Sequence, residues 1–163
     1  MKRLANCGHR LLSLMYRTFR RLTDLQIGVV GYCEPTKFDK DEAGRMVREA
    51  FDELARRHRW RRITVVSGLT NTGVLAIAYK EAAARGWRTV GIACSRADGY
   101  DCFPVDERYI FGHRWGHESP WFLRRIRRGW LVRVGGGEQA LRETKEHKAA
   151  GGRALEYELP RLG

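Results

Sequence analysis

From residue 25 onward, short apolar runs alternate with segments in which apolar residues recur every three or four positions. The apolar runs predict strands at 25–33 (LQIGVVGYC), 62–68 (RITVVSG), 88–94 (RTVGIAC), 107–112 (ERYIFG), 129–135 (GWLVRVG) and 153–159 (RALEYEL). The helical periodicity predicts helices at 39–58, 71–86, 119–127 and 138–150. Continuous apolar strands separated by helices are typical of a parallel sheet covered on both faces. The pattern therefore predicts an α/β fold, a Rossmann-like three-layer sandwich with a mostly parallel sheet.

The helix predicted at 71–86 (NTGVLAIAYKEAAARG) is nearly all apolar. A helix of this composition is not expected on an open surface. We expect it to pack against the sheet, and a partner subunit is a further candidate to cover it.

Residues 1–23 form a separate segment, a basic amphipathic N-terminal arm. Its apolar residues fit one helical face, and its arginines share another; the apolar positions are Leu4, Leu11, Met15, Phe19 and Leu22. The arm is predicted to pack on the domain or on a second subunit. A nucleic-acid or membrane-surface arm and a targeting peptide are the alternatives. Residues 24–163 are then expected to form a single Rossmann-like nucleotide-binding domain.

The charge balance suggests an anionic partner. The 163 residues carry a formal net charge of +12, and half of that excess lies in residues 1–23. A nucleotide, a phosphorylated metabolite, a nucleic acid or an acidic membrane face would suit such a chain. No apolar run approaches the ~20 residues that a membrane span needs, and the four cysteines form no CxxC pair. A cytoplasmic protein without a membrane partner is therefore predicted.

The strongest candidate chemistry lies where three predicted strands end. These junctions, each with glycine at the strand end, read VVGYCEPT (29–36), VSGLTNTG (66–73) and VGGGEQA (134–140). Glycine lets an oxyanion approach main-chain N–H groups, and ligands of open α/β sheets collect at the carboxyl ends of the strands. A phosphate held in this way needs no metal, and no metal site is predicted.

Specific residues follow from this hypothesis. The phosphate is expected to be cradled by Gly135, Gly136 and Gly137 and by the second junction, of which the candidate ligand-binding residues are Ser67, Gly68, Thr70, Asn71, Thr72 and Gly73. Gly31 and Tyr32 are expected to border the ribose or base. No GxGxxG sequence is present, and no acidic residue closes the strand at 62–68. A nicotinamide-dependent dehydrogenase is therefore not predicted.

The segments SGLTNTGVLAIAYKEAAARGWRTVGI and VGGGEQALRE resemble the SLOG superfamily of Rossmann-like nucleotide binders. That superfamily includes the lonely guy phosphoribohydrolases and the molybdenum-cofactor carrier proteins, and the resemblance covers about residues 25–159. It implies a homodimer or higher homo-oligomer. It also brings Glu138, Gln139 and Glu143 into the site, with Glu143 addressing a sugar hydroxyl. A salt-bridged surface role is the alternative for Glu143.

Two departures from the hydrolase pattern decide between the functions that the resemblance implies. The hydrolases carry GGxGTxxE, and here Gln139 and Ala140 stand at its GT pair, while Gly136, Gly137 and Glu143 match. The Arg-Lys pair that the hydrolases carry before this strand would fall on HESPWFL, which has no arginine there. A binding protein for a nucleotide or related phosphorylated ligand, a carrier or sensor, is therefore favoured. The alternative is a nucleoside-monophosphate phosphoribohydrolase with Glu143 as its catalytic carboxylate.

The stretch HRWGHESPWFLRRIRRGW (113–130) adds a further alternative. Its histidines, His113 and His117, are four residues apart but lack a recognisable third metal ligand. The segment is expected either to form a basic lid that brings Ser119 to the ligand or to be a surface loop. Its interleaved aromatic residues and arginines would also suit single-stranded nucleic acid. The favoured hypothesis requires no cofactor, although a bound nucleotide or nucleotide-containing cofactor is compatible with it.

Overall fold

A computed structural model describes residue 15 and residues 24–163. It contains six strands, which are β1 (Leu25–Gly31), β2 (Ile63–Ser67), β3 (Arg88–Ala93), β4 (Glu107–Ile110), β5 (Trp130–Val134) and β6 (Arg153–Tyr157). Residues 24–163 contain four α-helices, which are α1 (Lys40–Arg57), α2 (Gly73–Ala84), α3 (Ser119–Ile126) and α4 (Glu138–Ala149). A short 3-10 helix, Ser95–Gly99, follows β3. The predicted elements are all present among the described residues, with ends that differ by about two residues.

The sheet is parallel throughout, in the order β4-β3-β2-β1-β5-β6. The chain first moves outward from β1 to β4 and then returns to the other side of β1 with β5. This reversal places a topological switch point between β1 and β5, where the carboxyl ends of the strands leave a crevice in folds of this class.

Helices cover both faces of the sheet and complete the three layers. One buried cluster joins α1 and α2 to Ile27, Val29 and other side chains on one face. A second cluster joins α3 and α4 to Val30 and Val66 on the opposite face. The alternation of Val29 and Val30 between the two clusters is the period-2 pattern of a strand buried on both sides. The predicted Rossmann-like three-layer architecture is confirmed.

The apolar helix α2 finds its cover inside the chain. Val74, Ala78, Tyr79 and Ala82 are fully buried in the cluster that α2 shares with α1 and the sheet. The Tyr79 hydroxyl lies 2.7 Å from the carbonyl oxygen of Gly68 and 2.9 Å from that of Val90, so the one polar group on this face is bonded. One face of α2 is thus covered within the chain, whereas Leu75 and Ile77 stay partly exposed.

The predicted amphipathic arm, residues 1–23, lies outside the described residues except for Met15, which is helical and exposed. Its separation from the domain at 24–163 therefore stays a prediction. None of the helices in the described part of the chain has both the length and the apolar character to cross a membrane.

Candidate functional site

A cleft of about 650 Å³ opens at the carboxyl edge of the sheet. All three glycine junctions contribute to it, because β1, β2 and β5 end side by side at the switch point. Nine of the residues predicted from the sequence line it: Gly31, Ser67, Gly68, Thr70, Asn71, Thr72, Gly137, Gln139 and Glu143. Its volume lies in the range of small-molecule and cofactor sites.

In the second junction two polar side chains already have partners. The Ser67 hydroxyl donates to the Val29 carbonyl oxygen at 2.7 Å, and the Asn71 side chain donates to Asp101 at 2.9 Å. The Thr72 hydroxyl differs, since its Oγ1 atom is enclosed and has no hydrogen-bond partner among the described residues. An enclosed hydroxyl without a partner is costly unless something else bonds to it. Thr72 is therefore the side chain of this junction that is best placed to meet a ligand.

Three neighbouring glycines in the VGGGEQA junction turn out to have different surroundings. The Gly135 N–H donates to the Tyr157 carbonyl oxygen at 2.8 Å, and a Cβ at Gly135 would lie 2.3 Å from the Tyr32 ring. At Gly136 φ is +106°, and a Cβ there would lie 2.5 Å from that of Ala140. Gly137 has an ordinary φ of −88° and lines the cleft. Internal packing therefore requires Gly135 and Gly136, and Gly137 alone of the three faces the cleft.

Part of the predicted site lies outside the lining of the cleft. Six residues that we expected to touch the ligand do not line the cleft: Tyr32, Gly73, Ser119, Gly135, Gly136 and Glu138. The Tyr32 ring is buried against Phe38, and a Cβ at Gly73 would lie 2.1 Å from the Tyr32 carbonyl oxygen, so both serve the packing of β1 on α2. Glu138 is exposed in the first turn of α4, where its charge complements the helix dipole.

Glu143 is the most deeply buried carboxylate of the cleft, with 4% of its surface exposed. Its Oε1 accepts hydrogen bonds from the Ser119 hydroxyl and, at 3.0 Å, from Gln139 Nε2. The same Gln139 nitrogen donates to Glu118 at 3.1 Å and so bridges two acids. Oε2 of Glu143 has no partner among the described residues. Ser119, predicted to bind ligand, thus acts here by positioning Glu143.

Burial raises the pKa of Glu143 above its usual value. The hydrogen bonds from Ser119 and Gln139 oppose that shift, and the nearby charge of Glu118 adds to it. The positive charge of Arg142 also lowers the pKa of Glu143, but burial is the largest effect and prevails. The salt-bridged surface role that was the alternative for Glu143 does not fit this buried position.

The cleft is acidic although the protein is basic. Its lining includes Glu34, Asp101, Glu118 and Glu143, and no lysine, arginine or histidine of the described chain belongs to it. These acids do not gather into a metal site, since the described residues contain no group of three or more potential metal ligands. The acids are therefore placed to accept hydrogen bonds from donors on a ligand.

The predicted basic lid is not basic where it meets the cleft. From residues 113–119 only Trp115 and Glu118 line it. Arg125, on α3, donates to Gln26 at 3.0 Å. Gln26 lies near the start of β1, at the opposite end of the sheet from the cleft.

The loop after β3 supplies lining residues that the sequence did not indicate. Tyr100 and Asp101 line the cleft, and the Tyr100 ring packs edge-on against Trp115 at 5.6 Å between centroids. Both rings remain partly exposed, at 60% and 42%. The loop that carries Tyr100 is fixed by the hydrogen bond from Asn71 to Asp101 and by a backbone bridge between Thr70 and Cys102. The aperiodic sequence of this loop carries no local signal for that placement.

Solved structures of molybdenum cofactor carrier proteins are similar to this chain. Two structures of the Moco carrier protein from Chlamydomonas reinhardtii are 22% and 23% identical to it, with TM-scores of 0.58 and 0.60. The molybdenum cofactor binding protein from the phototrophic bacterium Rippkaea orientalis is 17% identical, with a TM-score of 0.59. Each similarity covers 82% of this chain and 76% of the other. These similarities show that the chain shares the fold of the carrier proteins, in agreement with the Rossmann-like architecture predicted from the sequence.

No protein-family model matches the chain, and no curated protein matches it.

Proposed function

We propose that this protein is a carrier or sensor that binds a nucleotide or related phosphorylated ligand in the cleft. The observation that carries the proposal is that three strand-to-helix junctions line one cavity of about 650 Å³ at the switch point of the sheet. In such sheets the N-terminus of a helix is a favourable place for a phosphate. Here the Thr72 hydroxyl and the first turn of α4, after Gly137, are the groups assigned to it.

The acidic residues of the cleft require a ligand that also carries hydrogen-bond donors. Glu143 offers Oε2 as an acceptor in a site without lysine or arginine in its described lining. A sugar hydroxyl or a ring N–H would satisfy it, and the exposed faces of Tyr100 and Trp115 could stack on a base. A ligand with a phosphate at one end and hydrogen-bond donors at the other end would be a nucleotide or a nucleotide-like cofactor.

The molybdenum cofactor belongs to this chemical class, since it is a nucleotide-like pterin cofactor. A pterin ring carries an amino group and ring N–H donors, which suit the unpartnered oxygen of Glu143. The proposal therefore includes that cofactor as cargo beside ordinary nucleotides, and the similar carrier structures support the choice.

Native mass spectrometry of the purified protein tests the proposal. We expect a co-purified small anion bound at one per chain, released on denaturation. Calorimetric titration with nucleoside monophosphates, guanosine and adenosine compounds among them, then measures affinity for defined probes. Protein without a bound anion that also binds none of the monophosphates would contradict the proposal.

Glu143 supports one second candidate, hydrolysis of nucleoside 5′-monophosphates to free base. A buried carboxylate with a raised pKa beside the cleft could assist an oxocarbenium-like centre. This activity predicts free base from a panel of monophosphates and its loss in Glu143→Ala. If no monophosphate of the panel releases free base, hydrolysis is excluded and binding remains the proposed function.

A further inference from the structure

The C-terminal segment after the last strand packs beside the turn between β5 and α4. Leu159 is 4% exposed and packs beside Gly135, and the Leu162 N–H donates to the Lys37 carbonyl oxygen at 2.9 Å. The main chain is therefore fixed on both sides of Arg161. This anchoring places an arginine beside the turn that precedes α4.

Arg161 lies against Gly137, the one glycine of the triple that lines the cleft. Its Nη2 atom is 3.8 Å from the position that a Gly137 Cβ would occupy. The guanidinium carbon lies 5.4 Å from the centre of the Tyr32 ring, a distance at which a cation is attracted to the ring face. No carboxylate of the described chain pairs with Arg161, so its charge and its donors are available to a ligand.

We propose that Arg161 is the cation of the anion subsite and binds the phosphate monoester, or an equivalent oxyanion, of the ligand. This inference rests on the proposed function. The resemblance to the phosphoribohydrolases places a basic pair before β5, where this chain has none, and Arg125 points to the other end of the sheet. Arg161 is not among the residues that line the cleft, but it lies beside Gly137, which does, and the missing side chain at Gly137 leaves its guanidinium unobstructed on that side.

A second, independent observation supports the anion subsite. The Thr72 hydroxyl, on the junction facing Gly137 across the end of β1, is enclosed and without a partner among the described residues. Gly31 lies between the two turns. A Cβ placed at Gly31 would be 2.7 Å from the Val74 side chain, and a Cβ placed at Gly136 would be 3.4 Å from the Gly31 Cα. A phosphate between the turns would accept from Thr72, from the first N–H groups of α4 and from the fork of Arg161.

Calorimetry with AMP and GMP, each beside its nucleoside without phosphate, tests this assignment. The variants are Arg161→Ala and Arg161→Lys. The matched control is Arg153→Ala, which removes an arginine stacked on Trp130 at 4.6 Å near the other end of the sheet. We expect Arg161→Ala to weaken monophosphate binding about ten- to a hundredfold and to leave nucleoside binding and Tm unchanged. Arg161→Lys should retain part of the affinity, and Arg153→Ala all of it.

Two failures can be told apart. If wild-type protein binds neither monophosphate nor inorganic phosphate, the proposed function and this inference both fall. If the wild type binds a monophosphate and Arg161→Ala binds it equally well, or if Arg153→Ala loses as much, the assignment of Arg161 falls and the binding function stands.

Discussion

At Glu143 burial and hydrogen bonding act on the same carboxylate in opposite directions. Burial raises its pKa above the usual 4.5, and the bonds from Ser119 and Gln139 reduce the shift. Between the unfolded and the folded pKa the native state binds more protons than the unfolded state. The free energy of unfolding therefore falls as pH rises through this window, and ionised Glu143 lowers stability near neutral pH.

Glu143→Gln removes that cost while keeping an oxygen for Ser119 and Gln139. We expect a higher Tm than wild type near neutral pH, and a difference that shrinks as the pH falls below the unfolded-state pKa. Each kcal/mol gained should raise Tm by roughly 2–4 °C in a chain of this size. Thermal unfolding followed by circular dichroism across the pH range checks this, with exposed Glu138→Gln as the control. A lower Tm for Glu143→Gln at neutral pH would contradict it.

Replacing Thr72 is expected to change stability and ligand binding in opposite directions. Its backbone is extended, with φ −147° and ψ 157°, and its side chain makes no capping hydrogen bond to α2. Valine suits that conformation and removes the enclosed hydroxyl, so Thr72→Val should gain about 1 kcal/mol of unfolding free energy. If the hydroxyl serves a phosphate, the same variant should lose affinity for monophosphates.

Denaturant unfolding and calorimetry measure the two effects on the same samples. Thr72→Ser keeps a hydroxyl and should bind nearly as well as wild type. Equal affinity in Thr72→Val and wild type would remove Thr72 from the anion subsite, whatever its effect on stability.

At the scale of elements, the turn between β5 and α4 contains two glycines that packing requires, Gly135 and Gly136, and one that lines the cleft, Gly137. Gly136→Ala would place a Cβ in conflict with Ala140 at a positive φ, and we expect a loss of about 1–3 kcal/mol. Gly137→Ala meets no atom nearer than 3.8 Å and should cost at most about 1 kcal/mol through a weaker N-cap. Urea unfolding of the pair measures the difference. Equal losses would show that the two positions are equivalent.

The elements themselves could be predicted because each has a local signature. Helix α1 begins after Asp39, whose Oδ1 accepts from the N–H groups of Asp41 and Glu42 at 3.0 Å, and its buried face repeats at helical spacing. The strands are continuous apolar runs, as a sheet buried on both faces demands. Local pattern therefore sufficed for the order of the elements and for the site's position at the strand ends.

The individual contacts could not be predicted, because they depend on groups far away in sequence. Gly135 is fixed by Tyr157 and Tyr32, which come from β6 and the end of β1. Asp101 enters the cleft through its bonds to Asn71, thirty residues earlier. Arg161 lies in a C-terminal segment without helical or strand periodicity. In the sequence three adjacent glycines are indistinguishable, and only the folded neighbours assign them different tasks.

For the whole molecule, the composition of α2 gives only weak support to an oligomer, since Val74, Ala78, Tyr79 and Ala82 are already buried within the chain. A homodimer stays a prediction that rests on the superfamily resemblance. Light scattering checks it, with a mass about twice 18.8 kDa expected for the dimer. A monomer at all concentrations would contradict it.

Charge is distributed unevenly over the molecule, and this distribution determines where a nucleic acid would bind. The chain carries +12, yet the described lining of the cleft contains acids and no basic side chain. A single-stranded oligonucleotide, the third candidate ligand, would therefore bind outside the cleft. We expect any such affinity to fall steeply with salt, with a log–log slope of about −0.7 for each phosphate neutralised, and to weaken when residues 1–23 are removed.

Competition between the two ligands tests this separation. Fluorescence anisotropy of a labelled single-stranded oligonucleotide, titrated from about 50 to 200 mM salt, gives the slope, and saturating AMP is then added. Because the basic surface and the acidic cleft are distinct, AMP should not displace the oligonucleotide, and the affinity for AMP should depend only weakly on salt. Displacement by AMP in proportion to cleft occupancy would show that both ligands use one site, and that the acids of the cleft do not exclude a polyanion.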